Sequence, residues 1–119
     1  MDKDTLLKRM ESAKTLGGHP RFYEIMLENA IMHAKKNHDY AKDTDPLSNL
    51  KECEKFGIPA WKGALVRITD KISRITQLAN GKHAEITDEN IFDTLRDLSI
   101  YAILTMILLE SQNSTIDKG

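Results

Sequence analysis

From Leu98 to Leu109 the chain is apolar at every position except Ser99 and Thr105, and this block narrows the possible folds more than any other. At about 100° per residue, a helix through it carries Leu95, Leu98, Ala102, Met106 and Leu109 on one stripe and Ile100, Leu104 and Ile107 on another. Such a helix is greasy almost all the way round. A bilayer-spanning helix needs about 20 such residues, so the block has to be covered by protein, within the subunit or between subunits. The charged N-terminus, "MDKDTLLKRMESAK", lacks the apolar core of a signal peptide, so no membrane partner and a cytoplasmic location are expected.

The same helix opens with acids. Glu89, Asp93 and Asp97 fall within an arc of roughly 80° that runs on into Ile100, Leu104 and Ile107. Carboxylates at i and i+4 repel by roughly a few tenths of a kcal/mol when exposed, and by more when desolvated, so something positive should face them. The preceding long segment supplies it. Trp61, Leu65, Ile68, Ile72, Ile75 and Ala79 line its apolar side, whereas Arg67, Asp70, Lys71 and Arg74 lie on the other.

Two readings of this charge cluster follow. In the first it is a structural network: Arg67, Lys71 and Arg74 pair with Asp93 and Asp97, and Asp70 pairs with Arg67 and Arg74. In the second, Asp70, Glu89, Asp93 and Asp97 hold Mg²⁺ while Arg67, Lys71 and Arg74 grip phosphate oxygens. Carboxylates beside basic residues suit phosphoanhydride chemistry, in which a metal neutralises the leaving diphosphate and activates a water.

The remaining chain reads as helices separated by turn signals, with no strand-like alternation. An amphipathic arm spans about Asp4 to Leu16 and stops at "GGHP", giving an N-terminal unit of residues 1–20. A helix over about Arg21 to His38 puts Phe22, Met26, Ala30 and His33 on one face. Pro46 opens a short helix that Gly57 ends, and Pro59 opens the long one, which closes at Asn80 and Gly81. Thr87 or Asp88 caps the last helix, predicted to end near Glu110 before a flexible tail over 111–119. The expected architecture is all-α, a four- to five-helix bundle over 21–110 that forms homo-oligomers through its last helix.

Several chemistries are disfavoured. Cys53 is the single cysteine, which excludes an intrachain disulfide and a cysteine-rich zinc cluster. No two histidines show zinc spacing alongside a carboxylate helper, "LGGHP" and "NGK" are turns and not phosphate loops, and a net charge of −1 with scattered bases argues against direct nucleic-acid binding. His33 reads as a core histidine, and Trp61 as a packing residue. Tyr40 could equally stack on a base.

"KKNHDYA" (35–41), "RITDKISR" (67–74) and "DENIFDTLRDLSIYAIL" (88–104) together resemble the nucleotide-modification-associated domain family of bacteriophage genomes, itself thought to be related to the MazG-like all-α nucleoside triphosphate pyrophosphatases. The resemblance covers about residues 25–110. It implies a MazG-like helical bundle, a host-cytoplasmic phage protein, Mg²⁺, and hydrolysis of a nucleoside triphosphate to monophosphate and diphosphate. Asp93 and Asp97 match the acidic block of the last helix and would be catalytic. Asp70, Arg67, Lys71 and Arg74 match the block before it, and Asn37, Asp39 and Tyr40 match the block that approaches sugar or base. The pyrophosphatases carry E-x-x-E and E-x-x-D where this chain has Arg67-x-x-Asp70 and Asp93-x-x-x-Asp97. With fewer carboxylates, the resemblance equally implies a binder that holds a nucleotide signal without turning it over.

Overall fold

The computed structural model describes residues 1–40, 47–81 and 90–118, except for the side chains of 39, 40 and 114–118. Among these residues it is all-helical: α1 (Lys3–Leu16), α2 (Pro20–Tyr40), a 3₁₀ helix (Glu52–Phe56), α3 (Ala60–Ala79) and α4 (Ile91–Lys118). Contacts divide the chain into two units, Met1–Lys35 and Lys36–Gly119.

In the first unit, the Asp2 carboxylate accepts the Thr5 N–H at 2.8 Å and starts α1. Gly17, at φ +122°, ends it. The Tyr23 hydroxyl then lies 2.9 Å from the carbonyls of both Ala13 and Gly17, so that α2 supplies a donor to the frayed end of α1. Pro20 occupies the first position of α2, where its missing N–H costs nothing, and His19 Nδ1 accepts the Arg21 N–H. No residue of α1 is buried, as expected of an arm.

The Thr5 hydrogen bond holds the Asp2 carboxyl below its ordinary value of 3.8. Because the folded-state value is the lower one, this stabilisation is fully present above about pH 3.8 and is lost as pH falls through the folded value. The Thr5 amide resonance is therefore expected to shift upfield on acidification below pH 3.8, and Asp2→Ala abolishes that titration.

The second unit is built on α3 and α4. Lys71 meets Asp97 and Arg67 meets Tyr101, so four residues forward on α3 correspond to four backward on α4 and the helices run antiparallel. The same register sets Ala64 level with Leu104 and Ala60 level with Leu108, at the centre of the core, where alanines let the helices approach closely. Leu50 of the preceding turn closes one end, with Leu47 and Trp61 packed around it.

Gly57 takes φ +76° and caps the 3₁₀ helix, in line with the sequence reading. Pro59 is the N-cap of α3 and not its first residue. Gly63 faces Cys53 so closely that an added Cβ would lie 2.6 Å from its sulfur. Gly63→Ala is expected to cost about 1–3 kcal/mol, and the double variant Cys53→Ala/Gly63→Ala should recover most of it in denaturant unfolding.

Two expectations need correcting. The stripe Leu65–Ile72 does not form the core: these side chains are 43% and 51% exposed, and the face of α3 that meets α4 runs from the buried Ala60 and Ala64 to the half-buried Lys71, with the exposed Arg67 beside it. The hydrophobic period was right but the partner helix lies about a quarter turn away, against the small residues. Within one chain the apolar block of α4 is buried on one side only, at Leu108, while Ile103, Met106 and Ile107 are exposed, which leaves the expected cover between subunits open. Finally, α4 does not end near Glu110 but runs on to Lys118, and its cap is Asn90, whose Oδ1 accepts the Asp93 N–H at 2.8 Å. Thr87 and Asp88 lie outside the described residues.

Candidate functional site

Past the alanines, the α3–α4 seam turns polar. Arg67, Asp70, Lys71 and Arg74 of α3 and Tyr101 of α4 line an open groove of about 380 Å³. Their spacing follows from helical geometry: positions 67, 70, 71 and 74 share one ridge. Asp97 is 27% exposed, and each of its oxygens has its own ammonium, with Lys36 Nζ 3.0 Å from Oδ1 and Lys71 Nζ 3.3 Å from Oδ2. The Arg67 guanidinium donates to the Tyr101 hydroxyl at 3.4 Å and makes no ion pair among the described residues.

Each sequence-predicted residue can now be placed. Arg67, Lys71, Arg74 and Asp70 come together in the groove, and Asp97 joins them through Lys71. Asp93 is exposed in the first turn of α4, where a carboxylate complements the helix dipole, and it makes no ion pair among the described residues. The intrahelical pairs proposed between Asp70 and its two arginines are not formed with Arg67, which turns to Tyr101 instead. Asn37 is half-buried, and its Oδ1 is withdrawn from water without a donor among the described residues. Asp39 and Tyr40 close the backbone of α2, but their side chains, like all of Glu89, lie outside the described residues.

Two participants escaped the sequence reading. Tyr101 lies one turn beyond Asp97 on the line Asp93–Asp97, so its place was legible in the spacing. Lys36 is harder, 61 positions from the acid that it meets. A trace exists: at 100° per residue it borders the Phe22–Met26–Ala30 arc, roughly 40° from Phe22, while Lys35 points away.

Charge dictates what the groove can hold. Three basic side chains, Arg67, Lys71 and Arg74, line the groove with one carboxylate, Asp70, and Asp97 is held by Lys36 and Lys71. Partly exposed pairs of this kind contribute about 0.2–1 kcal/mol each to stability, so they bind the fold weakly and remain available to a ligand. The donor set fits Mg²⁺ poorly: both Asp97 oxygens are held by ammonium groups, and among the described residues no three His, Cys, Asp or Glu side chains group as metal ligands. Planar guanidinium and mobile ammonium groups fit oxyanions.

No family model matches the chain, and neither a curated protein nor a solved structure matches it.

Proposed function

We propose that the α3–α4 groove binds the phosphate chain of a nucleoside phosphate and does so without metal-dependent turnover. Three basic side chains in one groove, among them Arg67 with no carboxylate partner among the described residues, carry this reading. Arg67 and Arg74 would clamp phosphate oxygens bidentately, and Lys71 would add a point charge beside them. Tyr101 holds the Arg67 guanidinium in place through its hydroxyl. Asn37, which the resemblance implies approaches sugar or base, is not among the residues that line the groove.

Pyrophosphohydrolysis is the second reading, favoured by the acids Asp93 and Asp97 and the resemblance of their sequence block to that of the phage nucleotide-modification domains. It would require Asp70, Glu89, Asp93 and Asp97 to gather a Mg²⁺ that Lys36 and Lys71 now oppose at Asp97. One substitution separates the two. If Asp97 is a counter-ion, Asp97→Asn frees two ammonium groups, tightens nucleotide binding severalfold and costs roughly 1 kcal/mol of stability. If Asp97 is a metal ligand, the same variant weakens Mg²⁺-dependent binding and, with Asp93→Asn, abolishes product formation. A nucleotide panel with Mg²⁺, read by thermal shift and by separation of products, records both outcomes.

Exposed apolar stripes favour a homo-oligomer. Leu65, Val66 and Ile72 of α3, with Ile103 and Met106 of α4, are 43–63% exposed, and only four apolar residues are buried among those described. A second copy covering these stripes would supply the core that one chain lacks.

A further inference from the structure

We infer, resting on the phosphate reading of the α3–α4 groove, that the site selects by phosphate number. It takes a linear chain of three or more linked phosphates, free or carried by a nucleoside. Its basis is a row of three cations, one fixed in place and one shared with a carboxylate.

Helix geometry sets the length of the row. Arg67, Lys71 and Arg74 fall within an arc of roughly 60° and rise over about 10 Å of α3, while Asp70 stands roughly 40° outside that arc, on the side away from Lys71. Asp70 thus flanks the row without interrupting it. At one end the Arg67 guanidinium donates to the Tyr101 hydroxyl at 3.4 Å, which holds it toward α4. A single phosphate placed on it remains about two turns from the stem of Arg74. A second phosphate brings the chain level with Lys71 and a third carries it toward Arg74, so each added phosphate gains a charge-assisted contact.

The middle cation is shared. Lys71 Nζ lies 3.3 Å from Asp97 Oδ2, while Lys36 Nζ lies 3.0 Å from Oδ1 of the same carboxylate. When a phosphate draws Lys71 away, Asp97 keeps Lys36, so the half-buried carboxylate is not left without a counter-ion. Lys36 does not line the groove and is therefore a positioning residue, one that sets how freely Lys71 can turn to the chain. Without it, Asp97 and the phosphate compete for one ammonium.

The full chain, free of divalent cations, is titrated calorimetrically at fixed ionic strength with inorganic phosphate, pyrophosphate, tripolyphosphate, adenosine monophosphate and adenosine triphosphate. Tripolyphosphate and adenosine triphosphate should bind saturably within about fivefold of one another and at least about tenfold more tightly than pyrophosphate, with no saturation by the two monophosphates. Lys36→Ala should weaken tripolyphosphate severalfold with helical circular dichroism unchanged; Lys35→Ala, which removes the same charge from the adjacent exposed position, should not. Equal affinity for pyrophosphate and tripolyphosphate, or binding of adenosine triphosphate without tripolyphosphate, overturns the selection by chain length and leaves a nucleotide phosphate site standing. Equal effects of the two lysine variants overturn the role of Lys36. If none of the five compounds binds, the phosphate site itself falls with the inference.

Discussion

Leu108→Ala is expected to be the most damaging single truncation in the chain, at about 2–5 kcal/mol. Leu108 is 4% exposed and lies level with Ala60, so it meets a methyl group across the helix seam, and the half-buried Trp61 beside it would have to leave its own packing to fill the void. Its neighbours in the core are two alanines and Leu50, with Trp61, Tyr101, Leu47 and Leu104 half-buried around them. A domain stability of about 5–15 kcal/mol leaves little reserve against such a loss. Urea unfolding of the variant should show a large fall in midpoint with little change in slope. Ile107→Ala is the matched control. That side chain is 42% exposed in one chain, so its removal should cost little in the isolated subunit and should appear as a protein-concentration-dependent loss where a second copy covers it.

Arg67→Ala is expected to weaken nucleoside triphosphate binding by about 10- to 150-fold, the equivalent of one charge-assisted contact of roughly 1.5–3 kcal/mol. Arg67 has no carboxylate partner among the described residues, only the Tyr101 hydroxyl, so the fold loses little when it goes. This separates function from stability at one position. Arg67→Lys keeps the charge but loses the planar fork, and should recover only part of the affinity. Lys71→Ala acts differently because Lys71 also pairs with Asp97; part of its effect is then a loss of stability, visible without ligand. If Arg67→Ala leaves triphosphate affinity unchanged while lowering the unfolding midpoint, the guanidinium is a structural prop and not a phosphate ligand.

Much of the fold was legible in residue spacing. Apolar recurrence marked every long helix, and turn chemistry at Gly17, Gly57 and Asn80 marked their ends. What spacing could not give was which face of α3 meets α4. The strongly apolar face of Leu65 and Ile72 was the natural choice, yet the seam runs through Ala60 and Ala64, because small residues allow close approach and the larger side chains are left to a different partner. That quarter-turn difference places Arg67 and Lys71 against α4 and makes a groove from what reads as a solvated charge ridge.

The lining of the groove was legible residue by residue, but not the pairing of its charges. Arg67, Lys71 and Arg74 were identified from composition and register along one helix. Asp97 was identified as an acid needing compensation, and the compensation proves to be two lysines, one of them from α2 across 61 positions. No local rule reaches that far, since a contact between distant segments depends on packing that single-helix periodicity does not encode. The choice between metal and anion rests on that one contact.

The central claim is that the α3–α4 groove holds a polyphosphate. Isothermal titration of a nucleoside triphosphate into the wild-type chain and into Arg67→Ala/Lys71→Ala, at low and at physiological salt, tests it directly. Saturable wild-type binding that weakens with salt and is lost in the double variant is predicted; absence of wild-type binding, or equal binding by the double variant, would contradict it.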